Sequence, residues 1–357
     1  MIPEDIIYLR CIACGKGLAL EQFKSQSGEC ISGKLSCAGC QKEFPVINGI
    51  PRLLSDDLMQ SLVVPNYPDF FARHKVGKAG GAGGGSPSER LKKRTAESFG
   101  FEWLKYPKIL EHFESDWARY FNPFIKKKDI KGKVVADFGC GMAKHGYFIG
   151  KYKAAKYIGL DLSMAVEAAY RNTRKFKPLI VQADIYAPGL NGQEIDIFYS
   201  IGVLHHMPDP EGGFLSIARL MRKKGSRVFI WVYGKHNNAR ALYLYNPVRV
   251  VTTRMPRSIL YPLCHVPAVA LHSINLVQKG LNAAGLKGAA SALPFSYYQD
   301  FPYKFKVSDC FDVFGTPKQV YYEMKDIAKW FRHAGFKNRE FTLAFDVVQG
   351  IKGFGRR

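Results

Sequence analysis

Three aspartates, Asp137, Asp161 and Asp184, each follow a short apolar segment that has the composition of a buried strand. Helical stretches separate the segments, and this alternation predicts a parallel sheet in which the three acids lie at one edge. A helix cap would explain any one of these acids. Three carboxylates at one edge are costly to bury without a partner, so together they indicate a shared polar ligand.

The loop after Asp137 indicates which ligand this edge accepts. Dinucleotides and nucleoside triphosphates carry phosphates, which bind to backbone N–H groups at a helix N-terminus, and a carboxylate two residues before Gly139 would repel them. The dinucleotide spacing G-x-G-x-x-G also fails, because Lys144 stands at the third glycine position. S-adenosylmethionine has no phosphate and carries an ammonium and a sulfonium, so it fits these residues better.

The other two acids have distinct expected roles toward this cofactor. Asp161 stands where a carboxylate accepts both hydroxyls of a ribose that lies across the strand ends. Asp184 is expected to accept a hydrogen bond from the amino group of adenine, and Ile185 to contact the ring. These roles predict that the nucleoside lies along the carboxyl ends of the second and third strands.

Four motifs, in this order along the chain, resemble those of class I S-adenosylmethionine-dependent methyltransferases. They are Asp137-Phe-Gly-Cys-Gly-Met, Gly159-Leu-Asp-Leu-Ser, Gln182-Ala-Asp-Ile and Ser200-Ile-Gly-Val-Leu-His-His-Met-Pro-Asp-Pro. The resemblance covers roughly residues 96 to 235 and departs at Ala143, where the loop usually has a third glycine. It implies an α/β fold with a Rossmann-like, mostly parallel, doubly wound sheet. The cofactor-binding residues that it implies are Asp137, Gly139, Gly141, Asp161, Leu162, Asp184, Ile185 and Ser200.

Two adjacent histidines follow the fourth strand, beside the expected position of the methyl group. Methyl transfer is an in-line displacement, and it needs a base only if the acceptor carries a proton. His205 or His206 could take a proton from a hydroxyl near neutral pH. Packing by one and capping of the turn before Pro208 by the other explain the pair equally well. Tyr233 and His236, after the fifth strand, are weaker candidates.

The N-terminal region carries a separate cysteine pattern. Cys11-Ile-Ala-Cys14 and Cys37-Ala-Gly-Cys40 are two C-x2-C pairs separated by 22 residues, a spacing typical of a tetrahedral four-cysteine zinc site. Four thiolates leave zinc no open position, so the metal is expected to be structural. Two disulfides are the alternative, but the chain shows no signal peptide and the cofactor is made in the cytosol.

These pairs belong to a longer resemblance over residues 5 to 55. Together with Glu43-Phe-Pro-Val-Ile-Asn-Gly-Ile-Pro-Arg-Leu-Leu, they resemble the small zinc-ribbon activator of tRNA and protein methyltransferases, although Ile12 stands where that family normally has proline. We therefore expect a zinc ribbon at residues 1–60 and a methyltransferase domain at 96–357, with a substrate-region insertion at about 240–310. Residues 61–95, which include Gly77-Lys-Ala-Gly-Gly-Ala-Gly-Gly-Gly-Ser-Pro-Ser, are expected to form a flexible linker.

The net charge of the chain does not identify the substrate. The chain has 52 Lys and Arg against 30 Asp and Glu, a net charge of +22, which suits RNA, an acidic membrane surface or a phosphorylated carrier. No run of basic residues interleaved with aromatics is present. We therefore expect a cytoplasmic enzyme that methylates a small or carrier-bound metabolite on oxygen, carbon or nitrogen. RNA methylation is the alternative, and a catalytically silent partner protein would bind no S-adenosylmethionine.

The most apolar segment of the chain, Ser258 to Leu276, lies in the expected insertion. Two prolines and two histidines interrupt it, so we expect no transmembrane segment. Peripheral contact with a membrane, or the lining of a pocket for an apolar substrate, stays open. Farther upstream, Phe99 and Trp103 are four residues apart on one helical face, and we expect them to pack on the sheet rather than to contact a ligand.

Overall fold

A sheet of eleven strands runs through the computed structural model, which describes residues 1–77, 86–344 and 349–357. Its order is β1-β2-β3-β4-β7-β6-β5-β8-β9-β11-β10. The strands of the described residues are β1 (Ala19–Gln26), β2 (Glu29–Ser36), β3 (Glu43–Ile47), β4 (Ile50–Leu53), β5 (Val134–Phe138), β6 (Lys156–Asp161), β7 (Leu179–Ala183), β8 (Ile197–Ile201), β9 (Arg227–Tyr233), β10 (Asn338–Ala344) and β11 (Gly350–Arg356).

The helices connect these strands and cover both faces of the sheet. Those of the described residues are α1 (Asp56–Leu58), α2 (Pro68–His74), α3 (Pro87–Lys105), α4 (Asp116–Phe121), α5 (Lys144–Lys151), α6 (Val166–Thr173), α7 (Pro210–Leu220), α8 (Asn246–Thr252), α9 (Arg257–Leu263), α10 (His265–Ala283), α11 (Lys287–Ala292), α12 (Tyr303–Gly315) and α13 (Met324–His333). Val135 and Ala136, adjacent on β5, belong to different hydrophobic cores because successive strand residues face opposite sides.

The central strands β7, β6, β5, β8 and β9 are parallel to one another, and β11 lies antiparallel between β9 and β10. Parallel pairing brings the carboxyl ends of β5, β6 and β7 to one edge, as expected from the alternation of strands and helices. In this register Asp137 pairs with Gly159 and Asp161 pairs with Gln182. The predicted α/β class, with a doubly wound sheet behind an N-terminal cysteine module, is confirmed.

The N-terminal module joins this sheet directly. β4 pairs in parallel with β7, through Arg52 opposite Gln182 and Leu53 opposite Ala183. The Arg52 side chain is fully buried, forms an ion pair with Glu167 of α6, and donates to Gln182 Oε1 over 2.8 Å. The module therefore extends the sheet by four strands.

The stretch that the sequence predicts as a linker contains helices in its described parts, namely α2 and the start of α3. Its glycine-rich residues 78–85 lie outside the described residues. The boundaries at residues 60 and 95 stay predictions.

Helices α8 to α12 form the region between β9 and α13, where the sequence predicts an insertion. In the described part of the chain, one helical stretch, Arg257–Ala283, is long and apolar enough to cross a membrane. Of its 18 most apolar consecutive residues, 22% are buried. The absence of a transmembrane segment and a cytoplasmic location therefore stay predictions.

Candidate active site

A cleft opens over the carboxyl ends of β5, β6 and β7, with α3 and α12 on its sides. Strand-to-helix loops form its floor, which is the usual place for ligands in open α/β sheets. The candidate residues that line it are Asp137, Gly139, Gly141, Asp161, Leu162, Asp184, Ile185, His206 and Tyr233. The sheet thus brings together side chains that are far apart in the sequence.

Two glycines let the loop after β5 approach its neighbours closely. Gly139 has φ +86°, and a Cβ atom there would lie 2.3 Å from a methyl carbon of Val203. Gly141 has φ +52° and donates its N–H to Asp161 Oδ2 over 2.8 Å. Ala143 has φ +60°, in the left-handed region that glycine adopts at least cost, which explains why related loops carry glycine there.

Asp161 at the end of β6 holds this loop in place. One carboxylate oxygen accepts the Gly141 N–H, and the other accepts the N–H of Ser163 over 2.8 Å and its hydroxyl over 2.6 Å. A carboxylate has about four acceptor positions, so the chain itself uses about three of them. The remaining capacity faces the cleft and suits a hydroxyl of a ligand.

Asp137 at the end of β5 is almost completely buried. Its Oδ2 accepts hydrogen bonds from the hydroxyls of Tyr157, over 2.9 Å, and Tyr199, over 2.6 Å. Burial raises the pKa of this carboxyl to about 7, although the two tyrosine hydroxyls oppose the shift. A cation in the cleft would favour the ionised form, so Asp137 suits a positively charged ligand.

Asp184, at the end of β7, already has a cationic partner. Lys92 of α3 lies 2.6 Å from its Oδ2, and the N–H of Tyr186 donates to its Oδ1 over 3.0 Å. The lysine also lies 4.4 Å from the centre of the Tyr186 ring. This ion pair fixes α3 over the cleft and uses part of the hydrogen-bonding capacity that the sequence assigned to adenine.

Of the three candidate histidines, His206 lines the cleft. Its Nδ1 lies 2.7 Å from the carbonyl oxygen of Lys318. Because a carbonyl only accepts, Nδ1 carries the hydrogen and Nε2 is left as an acceptor. Burial lowers the pKa of His206, so its ring is neutral at neutral pH.

The structure places three other candidates away from the cleft lining. His205 is fully buried and stacks on Tyr233, with ring centres 3.8 Å apart, and burial lowers its pKa strongly. His236 Nε2 lies 3.2 Å from the carbonyl oxygen of Ala344. The buried Ser200 hydroxyl donates to the carbonyl of Phe138 over 2.8 Å, which connects β8 to β5. These contacts hold all three side chains in place, and their assignment as site residues stays a prediction.

Several cleft residues carry no sequence signal, because they come from separate elements. Phe99 and Trp103, which the sequence assigns to packing, line the cleft together with basic, aromatic and acidic side chains. Asp309 of α12 accepts from the Tyr298 hydroxyl, and burial raises the pKa of its carboxyl to about 6. The remaining charged and aromatic lining residues that sequence reasoning missed include Lys92, Arg119, Tyr120, Lys144, His145, Tyr297 and Asp312.

The four predicted zinc ligands come together in the N-terminal module. The sulfur atoms of Cys11, Cys14, Cys37 and Cys40 all lie within 4.8 Å of one another. A tetrahedral zinc site with Zn–S distances of about 2.3 Å needs sulfurs about 3.8 Å apart. Two equivalent turns present them, since the Cys11 N–H donates to the Lys16 carbonyl and the Cys37 N–H to that of Lys42. The arrangement fits a structural zinc ion.

Comparison with known proteins identifies the central region. Residues 136–229 match the family model described as a methyltransferase domain. The chain is 31% identical over 115 residues to the tRNA U34 carboxymethyltransferase of Campylobacter hominis. This match covers 30% of this chain and 40% of that enzyme. It is 29% identical over 134 residues to the enzyme of that name from Aliarcobacter butzleri, and this match covers 34% of this chain and 43% of that enzyme. The chain thus spans less than half the length of these curated relatives.

The chain is also similar to a solved structure. The complex of the Haloferax volcanii Trm112 methyltransferase activator with a methyltransferase is 12% identical in sequence, with a TM-score of 0.41, over 73% of this chain and 97% of that chain.

The curated relatives contradict the main expectation for the substrate. From scattered charge we expected a small or carrier-bound metabolite, but the matched enzymes are named for a nucleoside of tRNA. That expectation is wrong because a charge total does not show where the charged side chains lie.

The match runs from β5 to β9 and so includes the loops that form the floor of the cleft. Residues 136–229 thus match a methyltransferase domain, within an α/β fold that follows an N-terminal module whose four cysteines fit structural zinc.

Proposed function

We propose that this protein transfers a methyl group from S-adenosylmethionine to an RNA, and that a tRNA is its substrate. The names of the curated relatives support this substrate class. One observation of the structure carries the proposal: the cleft places basic and aromatic side chains beside the three aspartates. Arg119 and Lys144 lie there with Trp103 and Tyr297. Cations that contact phosphates and aromatic rings that stack on bases are the usual means of holding a single-stranded segment.

The proposed donor subsite is the floor of the cleft. Asp161 would accept a ribose hydroxyl with its remaining acceptor capacity, while it keeps Gly141 in position. Asp137 would lie near the ammonium group, and Ile185, which is 8% exposed, would contact the adenine ring. When bound, the donor supplies an electrophilic methyl group. The role of these residues is to orient it, because alignment provides most of the rate in an in-line displacement.

The proposed base is His206. Its Nε2 is an acceptor because Nδ1 donates to the Lys318 carbonyl, and its lowered pKa keeps it neutral. It would take a proton from a hydroxyl acceptor as the new bond forms. Phe99, whose ring centre lies 5.3 Å from that of His206, limits how the imidazole can turn.

A transfer assay with the full chain tests the substrate class. Unfractionated tRNA and S-adenosylmethionine labelled in the methyl group should yield radioactivity that precipitates with acid and is released by ribonuclease. Asp161→Ala should remove this signal, whereas Asp57→Ala, an exposed acid on α1, should retain it. Binding of the donor without any label in RNA, under conditions in which other acceptors are labelled, would contradict the proposal.

A further inference from the structure

The insertion between β9 and α13 exposes an unusual amount of apolar surface. Apart from Ile7 and Leu104, every large hydrophobic residue that the described chain exposes lies between Tyr243 and Leu286. We call the exposed apolar side chains of α8, α9 and α10 the apolar face. Scattered exposed hydrophobic residues are normal on soluble proteins, but such a concentration marks an interaction site.

Helix α10 presents the apolar face as one stripe. Val266, Val269, Leu276 and Val277 recur at helical spacing, and between 53% and 71% of each residue is exposed. At 100° per residue these four positions fall within about one third of the helix circumference. The smaller residues between them on this side are Ala270, Ser273 and Gly280. The outward stripe therefore carries no charge.

The opposite side of α10 is buried and contains polar residues next to Ala268, which packs in a hydrophobic core. Asn275 and Gln278 are at most 1% exposed, and their amides donate to the carbonyls of Phe295 and Leu293, each over 3.0 Å. Lys306 of α12, also buried, donates to Asn275 Oδ1 over 2.6 Å. A surface helix of a globular protein usually has its polar residues on the exposed side and its large apolar residues on the buried side. Polar groups packed inward and apolar groups outward are typical of a helix in contact with lipid.

The segment that carries the apolar face contributes only positive charge, although two acids from outside it, Glu97 and Asp300, pair with Arg257 and Lys279. No Asp or Glu lies between Glu211 and Asp300 in the sequence, whereas the same segment contains the exposed residues Arg240, Arg254 and Lys287. Basic side chains beside a buried apolar stripe suit a bilayer with anionic headgroups. An RNA would contact the cations but would gain nothing from the exposed valines and leucines.

The connections of the insertion show whether its apolar helices can cross a membrane or can only lie on its surface. β9 precedes the insertion, β10 follows it, and both strands pair with β11 in one sheet. A single crossing by Arg257–Ala283 would leave its two ends on opposite sides of a bilayer. Because both ends return to the same sheet, α10 fits an orientation parallel to the membrane surface.

We propose that the apolar face docks on an anionic lipid bilayer, with α10 lying in the plane of the headgroups. This inference is independent of the acceptor that the enzyme methylates. α12 contacts α10 through Lys306 and lines the cleft through Asp309. Docking would therefore hold the opening of the cleft near the membrane surface, where a bound acceptor would have to approach from the side.

Flotation of the full chain, treated with nuclease, tests this inference. The protein should float with phosphatidylcholine vesicles that contain about 30% phosphatidylglycerol, and much less with phosphatidylcholine alone. Leu276→Glu/Val277→Glu should reduce the bound fraction at least about tenfold, because it places two carboxylates on the stripe. Ile7→Glu, at the exposed hydrophobic position of the N-terminal module, should bind like the unmodified chain.

Zinc content and binding of S-adenosylmethionine show whether each variant is folded. If the double variant does not fold, the milder substitution Val269→Gln replaces it in the test. Equal flotation of folded stripe variants and unmodified chain would overturn the proposal. So would failure of the unmodified chain to float. A dimer in light scattering that the stripe substitutions dissociate, without vesicle binding, would assign the face to a second copy of the chain instead.

Discussion

At the scale of single residues, the ionisation of Asp137 gives a measurable signature. Burial raises its pKa to about 7, and a cationic donor requires the ionised form. Binding of S-adenosylmethionine should therefore tighten between pH 6 and pH 8 and be accompanied by proton release below pH 7. Calorimetry in buffers of different ionisation enthalpy measures both quantities. Asp137→Asn should flatten the pH dependence, and an unchanged profile in that variant would contradict the assignment.

The Asp137 carboxyl should also make the ligand-free protein less stable as the pH rises. Because its folded pKa lies above the ordinary value of an aspartate, its contribution is greatest at low pH and is lost as the pH rises through about 7. The free energy of unfolding should fall by up to about 1.4 kcal/mol per pH unit between about pH 4 and pH 7, and the decrease should level off above about pH 8. Urea unfolding at several pH values checks this, and Asp137→Asn should show a smaller decrease.

At the scale of elements, the two cysteine turns should depend on metal. Cys14→Ser removes one of four thiolates, so zinc content should fall and the thermal midpoint should drop by at least about 5 °C. Cys30→Ser is the matched control, because Cys30 is fully buried in the same module but lies outside the cluster. It should retain one zinc per chain. Equal zinc content in the two variants would contradict the four-cysteine site.

The contact between β4 and the central sheet depends on a buried ion pair. Arg52 is fully buried against Glu167, and the same carboxylate accepts from the Tyr67 hydroxyl over 2.5 Å. Arg52→Met should lower the free energy of unfolding by up to about 3 kcal/mol, because the partly buried carboxylate of Glu167 loses its cation. Adding Glu167→Gln should recover part of that loss. If urea unfolding shows no recovery, the cost of Arg52→Met is one of packing instead.

Local patterns predicted the elements well, whereas long-range pairing escaped them. The strands ending near Asp137, Asp161 and Asp184 were recognisable because apolar runs and glycine turns are adjacent in sequence. The pairing of β4 with β7 was not, because Arg52 and Gln182 are 130 residues apart. The buried polar contacts of α10 were also missed, since Lys306, which donates to Asn275, lies 31 residues farther along the chain.

At the scale of the whole molecule, the distribution of charge matters more than its total. The sequence gives a net charge of +22 but not the places of the charged side chains in the fold, and the substrate class expected from it was wrong. Folding separates the cations into groups with different neighbours. Lys144 lines the cleft beside aromatic rings, whereas Lys128 is exposed just before the amino end of β5, at the opposite edge of the sheet. RNA binding should therefore depend on the first position and not on the second.

This difference can be measured through the salt dependence of tRNA binding. Each phosphate that a cation neutralises contributes about 0.7 to 0.9 to the slope of log K against log salt concentration. Lys144→Gln should weaken binding at low salt and reduce that slope by about 1, because one contact is lost. Lys128→Gln removes the same charge and should leave the slope unchanged. Equal effects in filter binding between about 50 and 200 mM salt would show that RNA responds to the overall field rather than to the cleft.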